Sequence, residues 1–509
     1  MPAKRDTSIN IINSFSELKL DSQRLEQYIT TNNLEDSAAH FMRDFYNNRN
    51  FYFAWFTNDG VAEQTLAFWN LHNHFISYTR DSSFANRELH QYMKELLEGN
   101  LDMFKQASDQ LTKVELQLSH HFYEYAHYAY GGRIDPEELQ WHIPRKKVNA
   151  IALLDTLVAN KGRNLEAMEP LSTSYRALKK QLLHFYAIEK NGGWIPLEPD
   201  KKSYRIGDSS TFLIKIKDRL AALGDYESGD RSPLFTPAFE KAVLRYQGRH
   251  GLDTDKAIGP QVIAALNIPL AKRIEQMLIN LERMRWLPKE PAKKSIVANI
   301  PEFRLHVYEE GRDVLSMDVV VGTEANRTVV FSDSLKYVVF SPYWNVPRSI
   351  VRKEIYPAMS RNPGYLERNN MEQTGFSNGL PVIRQKPGPG NALGRVKFIF
   401  PNSYAIYFHD TPAQSLFSRT TRAFSHGCIR VSEPEKLAAY VLSDQPRWTS
   451  QEIRKEMRGT KEKWVSLKEA IPVFITYFTA WVDSHGVLNF RDDIYGHDKK
   501  MAARLFVEE

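Results

Sequence analysis

The chain has 509 residues, a length that predicts about three domains. Hydrophobic residues make up 42% and charged residues 25%, so the composition is that of packed globular protein and excludes disordered, collagen-like and low-complexity classes. A formal net charge of +6 is too small to indicate a nucleic-acid partner, although it suits an anionic polymer or surface. The single cysteine excludes an internal disulfide and any cysteine-rich zinc module.

No stretch of the sequence approaches the ~20 apolar residues that a membrane span requires. Lys4 and Arg5 precede no apolar segment, so no signal peptide is visible at the N-terminus. The sequence therefore predicts either a cytosolic protein or an exported one whose leader or anchor is not present in this chain.

Residues 18–189 are predicted to be helical, because apolar and aromatic residues recur there every three or four positions, as at Phe41 and Phe45. The run at 120–130 also contains several histidines, but none has the spacing of a metal motif such as HExxH. We therefore predict a packed aromatic helix in this histidine-rich run and no metal site.

Residues 204–267 are predicted to form a compact module with helices over 211–223, 237–250 and 259–266, bounded by glycine or proline. Three short helices also suit a helix-turn-helix DNA reader, but the second and third carry few exposed basic residues, which disfavours that alternative. A further helix over 270–286 is predicted to connect this module to the rest of the chain.

After residue 294 the hydrophobic pattern changes to the two-residue alternation of short strands, including one at 404–409. A helix over 434–442 and a last strand over 470–477 follow. Residues 355–393 form a loop-like insertion of a length usually found in lids or disordered segments, and their aromatic and proline content favours an ordered one. The predicted fold class is therefore multidomain α+β.

The candidate catalytic residues surround the only cysteine. Strand alternation puts Tyr407 and His409 on one face of their strand. Cys428 lies between His426 and Arg430, and these three side chains also share a face if their segment is extended.

A capping box at Ser432 and Glu435 predicts that a helix begins just downstream of Cys428. Positive charge and a helix N-terminus both stabilise a thiolate over a thiol, so these surroundings predict a nucleophile and not an inert buried cysteine. Gly427 lets a substrate carbonyl approach backbone N–H groups that would serve as an oxyanion hole. Two histidines, 409 and 426, are candidate bases, and the residues alone do not choose between them.

His409, fifteen intervening residues and the SHGC sequence at 425–428 resemble the signature of the YkuD-type L,D-transpeptidases, which cross-link peptidoglycan. SPYWNVPRSI (341–350) and RQKPGPGNALGRVKFIFPN (384–402) resemble the large YcbB-like branch of that family. The 204–267 module resembles a type 1 peptidoglycan-binding domain. The resemblance implies a helical scaffold domain (1–200), a peptidoglycan-binding domain (201–269), a connector helix (270–293) and a β-rich catalytic domain (294–509) with a capping loop at about 355–393.

The resemblance also implies roles for the site residues. Cys428 would be the nucleophile and His409 its general base. The site and its oxyanion hole would be shaped by Ser425, His426, Gly427 and Arg430. A third catalytic member is often a backbone carbonyl in this family, so the Asp410 carboxylate receives little weight. Trp344 and Tyr407 are candidates for lining the donor groove, with core packing as the alternative for each.

The implied reaction releases the terminal D-Ala of a tetrapeptide stem, leaves a cysteine thioester and forms a 3→3 cross-link to a second stem, with no metal or cofactor. The implied partners are donor and acceptor stems and cell-wall synthases, with no nucleic acid; the implied enzyme is a periplasmic or cell-envelope monomer that carbapenems acylate. The same residues would also serve an L,D-carboxypeptidase or the attachment of a protein to peptidoglycan. A binding protein with an inactive catalytic domain is a further alternative, which the intact motif disfavours.

Overall fold

The computed structural model describes residues 4–99, 108–227, 229–289 and 292–506. It is a mixed helix and sheet chain, as the sequence predicts, and its N-terminal part is mainly helical. The helices there span Ile11–Ser14, Ser22–Thr31, Asp36–Asn48, Glu63–Thr79, Arg87–Leu97, Ser108–Ala126, Ala150–Ala159, Leu165–Met168 and Thr173–Lys190. A short hairpin of strands β1 (Phe56–Thr57) and β2 (Gly60–Val61), which the sequence did not predict, lies among them.

Aromatic side chains fill the core of this helical part. Phe68 packs edge-on against Phe122 and Tyr125, with ring centroids 5.1 and 5.6 Å apart. In the histidine-rich run, His121 is buried and stacks on Phe84 at 4.6 Å. The prediction of a packed aromatic helix in this run is therefore confirmed.

The next part is the predicted module, with helices at Phe212–Ala222, Pro237–Arg249 and Pro260–Leu266. The guanidinium of Arg249 is buried against the Asp225 carboxylate, with Nε 2.7 Å from Oδ1. It also donates to the carbonyl of Leu488 at 3.0 Å, and Arg491 donates to the carbonyl of Arg249 at 2.8 Å. Arginines from both sides therefore fix the module to the C-terminal part of the chain.

The connector helix, Leu270–Arg285, joins two hydrophobic cores. Leu281 packs in the core of the helical part, whereas Ile279 and the following Trp286 pack in the core of the large sheet described next. None of the helices among the described residues is both long and apolar enough to cross a bilayer.

The remaining strands are β3 (Lys294–Asn299), β4 (Arg304–Glu309), β5 (Arg312–Gly322), β6 (Phe331–Phe340), β7 (Trp344–Asn345), β8 (Met371–Ser377), β9 (Leu380–Gln385), β10 (Val396–Ile399), β11 (Phe408–His409), β12 (Ala423–Ser425), β13 (Ile429–Val431), β14 (Lys463–Thr476), β15 (Ala480–Val482) and β16 (Leu488–Phe490). Nine of them form one sheet in the order β12-β5-β13-β11-β10-β6-β14-β3-β4, and β4 also pairs with β5. The sheet therefore closes on itself as a barrel around its own core, to which the helices Pro434–Val441, Ser450–Met457 and His497–Leu505 contribute side chains.

Residues 344–393 are called the cap below. They include the segment 355–393, which was predicted to be loop-like, and this prediction is wrong. They contain a sheet of order β7-β9-β8 and the helices Arg348–Ile350, Tyr356–Arg361 and Tyr365–Arg368, joined by a π-helical turn at Val351–Ile355. The cap has a small core of its own, in which Ile355 and Ile383 are buried. The segment is ordered, as predicted, but it is not loop-like.

Two local predictions beside the cysteine are also wrong. The predicted strand at 404–409 is reduced to β11, because Ala405 has a φ of 55° and turns the chain. The helix Pro434–Val441 has Glu433 as its N-cap with no side-chain capping bond, so the predicted capping box is absent. The Ser432 N–H donates to the carbonyl of Asp318 at 3.0 Å, which continues the pairing of β13 with β5. The helix itself begins at Pro434, where the sequence predicts it.

Candidate active site

The register of two neighbouring strands brings the predicted residues together. Strands β11 and β13 are parallel, with Phe408 opposite Ile429 and His409 opposite Arg430. The Ile429 N–H donates to the carbonyl of Tyr407 at 3.2 Å, which extends the pairing back toward the cysteine. Since Phe408 and Ile429 point into the barrel core, the residues on either side of them share the outer face.

That outer face, called the thiol face below, carries Tyr407, His409, Cys428 and Arg430. The rings of Tyr407 and His409 lie 5.7 Å apart. Cys428 therefore lies beside Tyr407 and diagonally from His409, and the predicted nucleophile and base meet on one surface.

His409 is held as a neutral base. Its Nδ1 lies 2.6 Å from the backbone carbonyl oxygen of Asp410, which can only accept, so Nδ1 carries the proton and Nε2 keeps its lone pair. Burial, followed by the positive charge of Arg430, lowers the pKa of His409 to about 3. The ring can therefore accept a proton at Nε2 at neutral pH.

The Asp410 carboxylate has a different task. Its oxygens accept the backbone N–H groups of Arg395 at 2.8 Å and Thr411 at 2.7 Å. A Cβ at Gly394 would lie 2.4 Å from this carboxyl group, so only glycine fits there. The side chain of Asp410 therefore holds the backbone just before β10 to the backbone just after β11, and its carbonyl orients His409.

Burial raises the pKa of Cys428, which the surrounding groups only partly offset. The offsetting groups are, in order, the backbone N–H and the phenol of Tyr407 and the charges of Lys397 and Arg430. The helix whose N-terminus the sequence analysis places near Cys428 begins at Pro434, beyond β13, and the effect of a helix dipole falls off within its first turn. The resting group is a thiol, and its activation requires a base.

A tight turn presents the cysteine. The Ser425 hydroxyl donates to the Cys428 carbonyl at 2.5 Å, and the Gly427 N–H donates to the Ser425 oxygen at 3.1 Å. The Thr328 hydroxyl donates to the Gly427 carbonyl at 2.8 Å. Gly427 has a φ of 115°, a backbone conformation that would be strained in a residue with a side chain. The Gly427 N–H is bonded to Ser425, so an oxyanion hole built from backbone N–H groups has to use a different one.

His426 and Trp344 are not on the thiol face. The side chain of His426 is half-exposed, and its Nε2 lies 3.4 Å from a carboxylate oxygen of Glu354 in the cap. Gly427, with a φ of 115°, interrupts the extended backbone, so the condition under which His426 would share a face with Cys428 is not met. Trp344, in β7, packs against the core of the cap.

Lys397 is a charged residue of the thiol face that the sequence analysis missed. It lies in β10 directly opposite His409. Its Nζ lies 5.1 Å from the centroid of the Tyr407 ring. The alternation of KFIF, with Phe398 buried and Lys397 on the other face, was the signal that could have found it.

The described residues contain no group of three or more His, Cys, Asp or Glu side chains that could hold a metal ion. The chemistry available on the thiol face is that of a thiol, a neutral imidazole and two cations. A thiol beside a base is the arrangement of covalent acyl transfer.

Comparison with known families agrees with this chemistry. Residues 293–475 match the YkuD model, which describes the L,D-transpeptidase catalytic domain. Residues 293–475 of this chain are therefore similar to an L,D-transpeptidase catalytic domain. Residues 40–182 match a scaffold domain and residues 209–266 a "Putative peptidoglycan binding domain". The family resemblance drawn from the SHGC signature and the module is confirmed.

A Haemophilus influenzae protein named "Putative L,D-transpeptidase" is 32% identical over 253 residues, which cover 46% of this chain and 51% of that protein. The chain thus spans about half the length of this curated relative. Solved structures of L,D-transpeptidases are similar at lower identity. One from Xylanimonas cellulosilytica is 16% identical, covers 55% of this chain and 99% of its own, and has a TM-score of 0.19. One from Mycobacterium smegmatis is 15% identical, covers 37% and 60%, and has a TM-score of 0.21.

Proposed function

We propose that this protein is a peptidoglycan L,D-transpeptidase that forms 3→3 cross-links through a thioester at Cys428. The observation that carries the proposal is the position of Cys428 and the neutral His409 on one face of adjacent strands. The peptidoglycan-binding match at residues 209–266 supports peptidoglycan as the substrate.

In the first half-reaction, His409 Nε2 takes the thiol proton as the Cys428 sulfur attacks the carbonyl that joins the third stem residue to the terminal D-Ala. The C–N bond breaks, and the leaving D-Ala amine receives the proton from His409. The product is a thioester between Cys428 and the third residue of the donor stem.

In the second half-reaction, the side-chain amine of an acceptor stem attacks the thioester. His409 accepts the amine proton, the C–S bond breaks, and the proton returns to the sulfur. A new amide now joins two third residues, and the thiol is regenerated. Neither step consumes a cofactor, because one amide is exchanged for another.

The tetrahedral intermediate needs a donor for its oxyanion. The Cys428 N–H donates to no other residue in the described part of the chain, and we assign it this role in place of the occupied Gly427 N–H. Ser425 and Gly427 shape the turn that presents the Cys428 N–H. Arg430 supports the site electrostatically, and Tyr407 forms a wall of the donor groove beside the thiol.

We further infer that His426 acts as a contact between the catalytic turn and the cap, through Glu354. Trp344 would reach the donor only as part of the cap, as a residue of β7. The substrate class favours an enzyme of the cell envelope that works in the periplasm. A monomeric state and an association with cell-wall synthases stay predictions.

The deciding experiment is mass spectrometry of the products formed from purified disaccharide-tetrapeptide. We expect a dimer lighter by one D-Ala, together with a thioester adduct on the protein. Cys428→Ala should form neither, while Cys428→Ser tests whether an oxygen nucleophile of the same shape suffices; both should melt like the unsubstituted protein.

Tripeptide monomer as the sole product would replace transpeptidation with L,D-carboxypeptidase activity, in which water takes the thioester. Turnover of the donor by Cys428→Ala would overturn the mechanism. Release of D-Ala only when an acceptor protein is supplied would indicate attachment of that protein to peptidoglycan.

A further inference from the structure

A row of side chains crosses the barrel on the thiol face, and Lys397 is at its centre. The register pairs Arg430 with His409, His409 with Lys397, Lys397 with Val339, and Val339 with Trp464. Lys397 and Arg430 therefore flank His409, one on each side. Two cations thus border the surface on which the donor must lie.

The ammonium of Lys397 is held between two aromatic rings without being neutralised. Its Nζ lies 5.1 Å from the centroid of Tyr407 and 5.8 Å from that of Trp464. Among the described residues it has no carboxylate at ion-pair distance. The charges that act on it are those of Glu462 and, when it is ionised, Cys428. Glu462 is bonded to the backbone N–H of Tyr343 at 2.9 Å and to the indole of Trp464 at 2.9 Å.

A partly buried cation without an anionic partner is costly, because desolvation disfavours its charge. Burial indeed lowers the pKa of Lys397. A ligand that supplies the missing anion would offset this cost. Its side chain lies against Tyr407, which neighbours Cys428, so the charge is on the side of the face where the nucleophile attacks.

We propose that Lys397 binds the free terminal carboxylate of the donor stem and thereby selects donors that end in an unmodified D-amino acid. The inference rests on the proposed function. In the donor, this carboxylate is separated from the scissile carbonyl carbon only by the amide nitrogen and one α-carbon. A carbonyl placed at the Cys428 sulfur therefore puts the carboxylate within reach of a cation beside Tyr407.

Arg430 does not replace Lys397 in this role. Arg430 lies in β13, two residues after Cys428, and faces His409 from the opposite side, whereas the Lys397 ammonium leans along β11 toward Tyr407. When the D-amino acid leaves, it takes the carboxylate with it, so this ion pair holds the donor before the thioester forms and is absent afterwards.

The test compares two donors, the disaccharide-tetrapeptide ending in D-Ala and the same molecule ending in D-alaninamide. Thioester formation at Cys428 is followed by intact-protein mass as donor concentration varies. We expect the unsubstituted enzyme to prefer the carboxylate donor by about 10- to 100-fold, the range for a hydrogen bond to a charged group.

Lys397→Met keeps the length of the side chain and should abolish this preference by raising the KM for the carboxylate donor, with little change for the amide. Lys397→Arg should retain most of the preference. Lys336→Met, at an exposed lysine of the adjacent strand β6, is the matched control and should leave both donors unchanged.

Equal acylation of the unsubstituted enzyme by both donors would overturn the proposal without any variant, even if Lys397→Met failed to fold. An equal loss with both donors in Lys397→Met, accompanied by an alkaline shift of Cys428 alkylation, would assign Lys397 to thiol activation and also overturn it. Failure of both donors to acylate the unsubstituted enzyme would instead count against the proposed function.

Discussion

At the scale of single residues, the thiol and its base are kept uncharged until substrate arrives. Burial raises the pKa of Cys428, while the pKa of His409 is lowered to about 3. A preformed thiolate–imidazolium pair would require the opposite shifts. In the proposed mechanism, proton transfer from Cys428 to His409 therefore has to accompany attack on the carbonyl.

These shifts predict the pH dependence of Cys428 alkylation by iodoacetamide. The rate should rise throughout the range of about pH 6 to 10, because the reactive thiolate forms only in alkaline solution. No inflection is expected near pH 6.5, since His409 stays neutral down to a pKa of about 3. His409→Gln should keep this profile while it slows thioester formation from the donor. A rate that is constant between about pH 5 and 8 would contradict the prediction.

The sequence alone singles out Cys428 as the candidate nucleophile, because the thiol is unique and its motif is local. It leaves His409 and His426 both open as the base, and only the family resemblance favours His409. The sequence could not find Lys397, because a lysine in a short strand is also typical of a solvent-facing position. Only the pairing of β10 with β11 puts it opposite the base. It also could not show that Ser425 occupies the Gly427 N–H, since that bond depends on the shape of the turn.

At the scale of elements, the cap is a separately packed unit attached to the barrel. Its sheet is internal, with β9 paired to β7 and β8, and Arg384 on β9 is ion-paired with Glu372 on β8 at 2.5 Å. The sequence suggested a loop because β8 is exposed on both faces and so lacks alternation. The pairing of β8 with β9, and not the hydrophobic pattern, defines this strand.

Ile383→Ala tests whether the cap packs independently of the barrel. Ile383 is 1% exposed in the cap core, and its truncation should cost about 2–5 kcal/mol locally. We expect faster hydrogen exchange throughout residues 344–393 and unchanged protection in β6. Val382→Ala, at the preceding half-exposed position of β9, is the control and should change neither. A uniform rise in exchange across the barrel would show that the two units unfold together.

At the scale of the whole molecule, the arginines Arg249 and Arg491 fasten the module at residues 204–267 to the C-terminal part of the chain. Arg249 bonds to Asp225 within the module and to the carbonyl of Leu488 outside it. Arg491 donates in return to the carbonyls of Gly248 and Arg249. A Cβ at Gly251 would lie 2.6 Å from the Arg491 side chain, so the contact also depends on a glycine.

Arg249→Met should destabilise the module, because it leaves the Asp225 carboxylate buried without its cation. Removing one partner of a buried pair costs about 3–5 kcal/mol, which urea unfolding monitored by fluorescence would measure. Arg245→Met is the matched control, since its ion pair with Glu227 is exposed and 3.8 Å long and should contribute less than about 1 kcal/mol. If Arg249→Met and Arg245→Met shifted the unfolding midpoint equally, Arg249 would not be the contact that stabilises the module.

The core of the helical part has a consequence for the order of folding. Ala480, Leu488 and Phe490 complete that core, although most of its other residues lie before position 190. During synthesis the N-terminal helices therefore keep apolar surface open until almost the whole chain has left the ribosome. Contacts across such sequence separations form slowly and leave time for aggregation. A chain shortened before β15 should consequently accumulate as an aggregation-prone intermediate, although every residue of the thiol face is present in it.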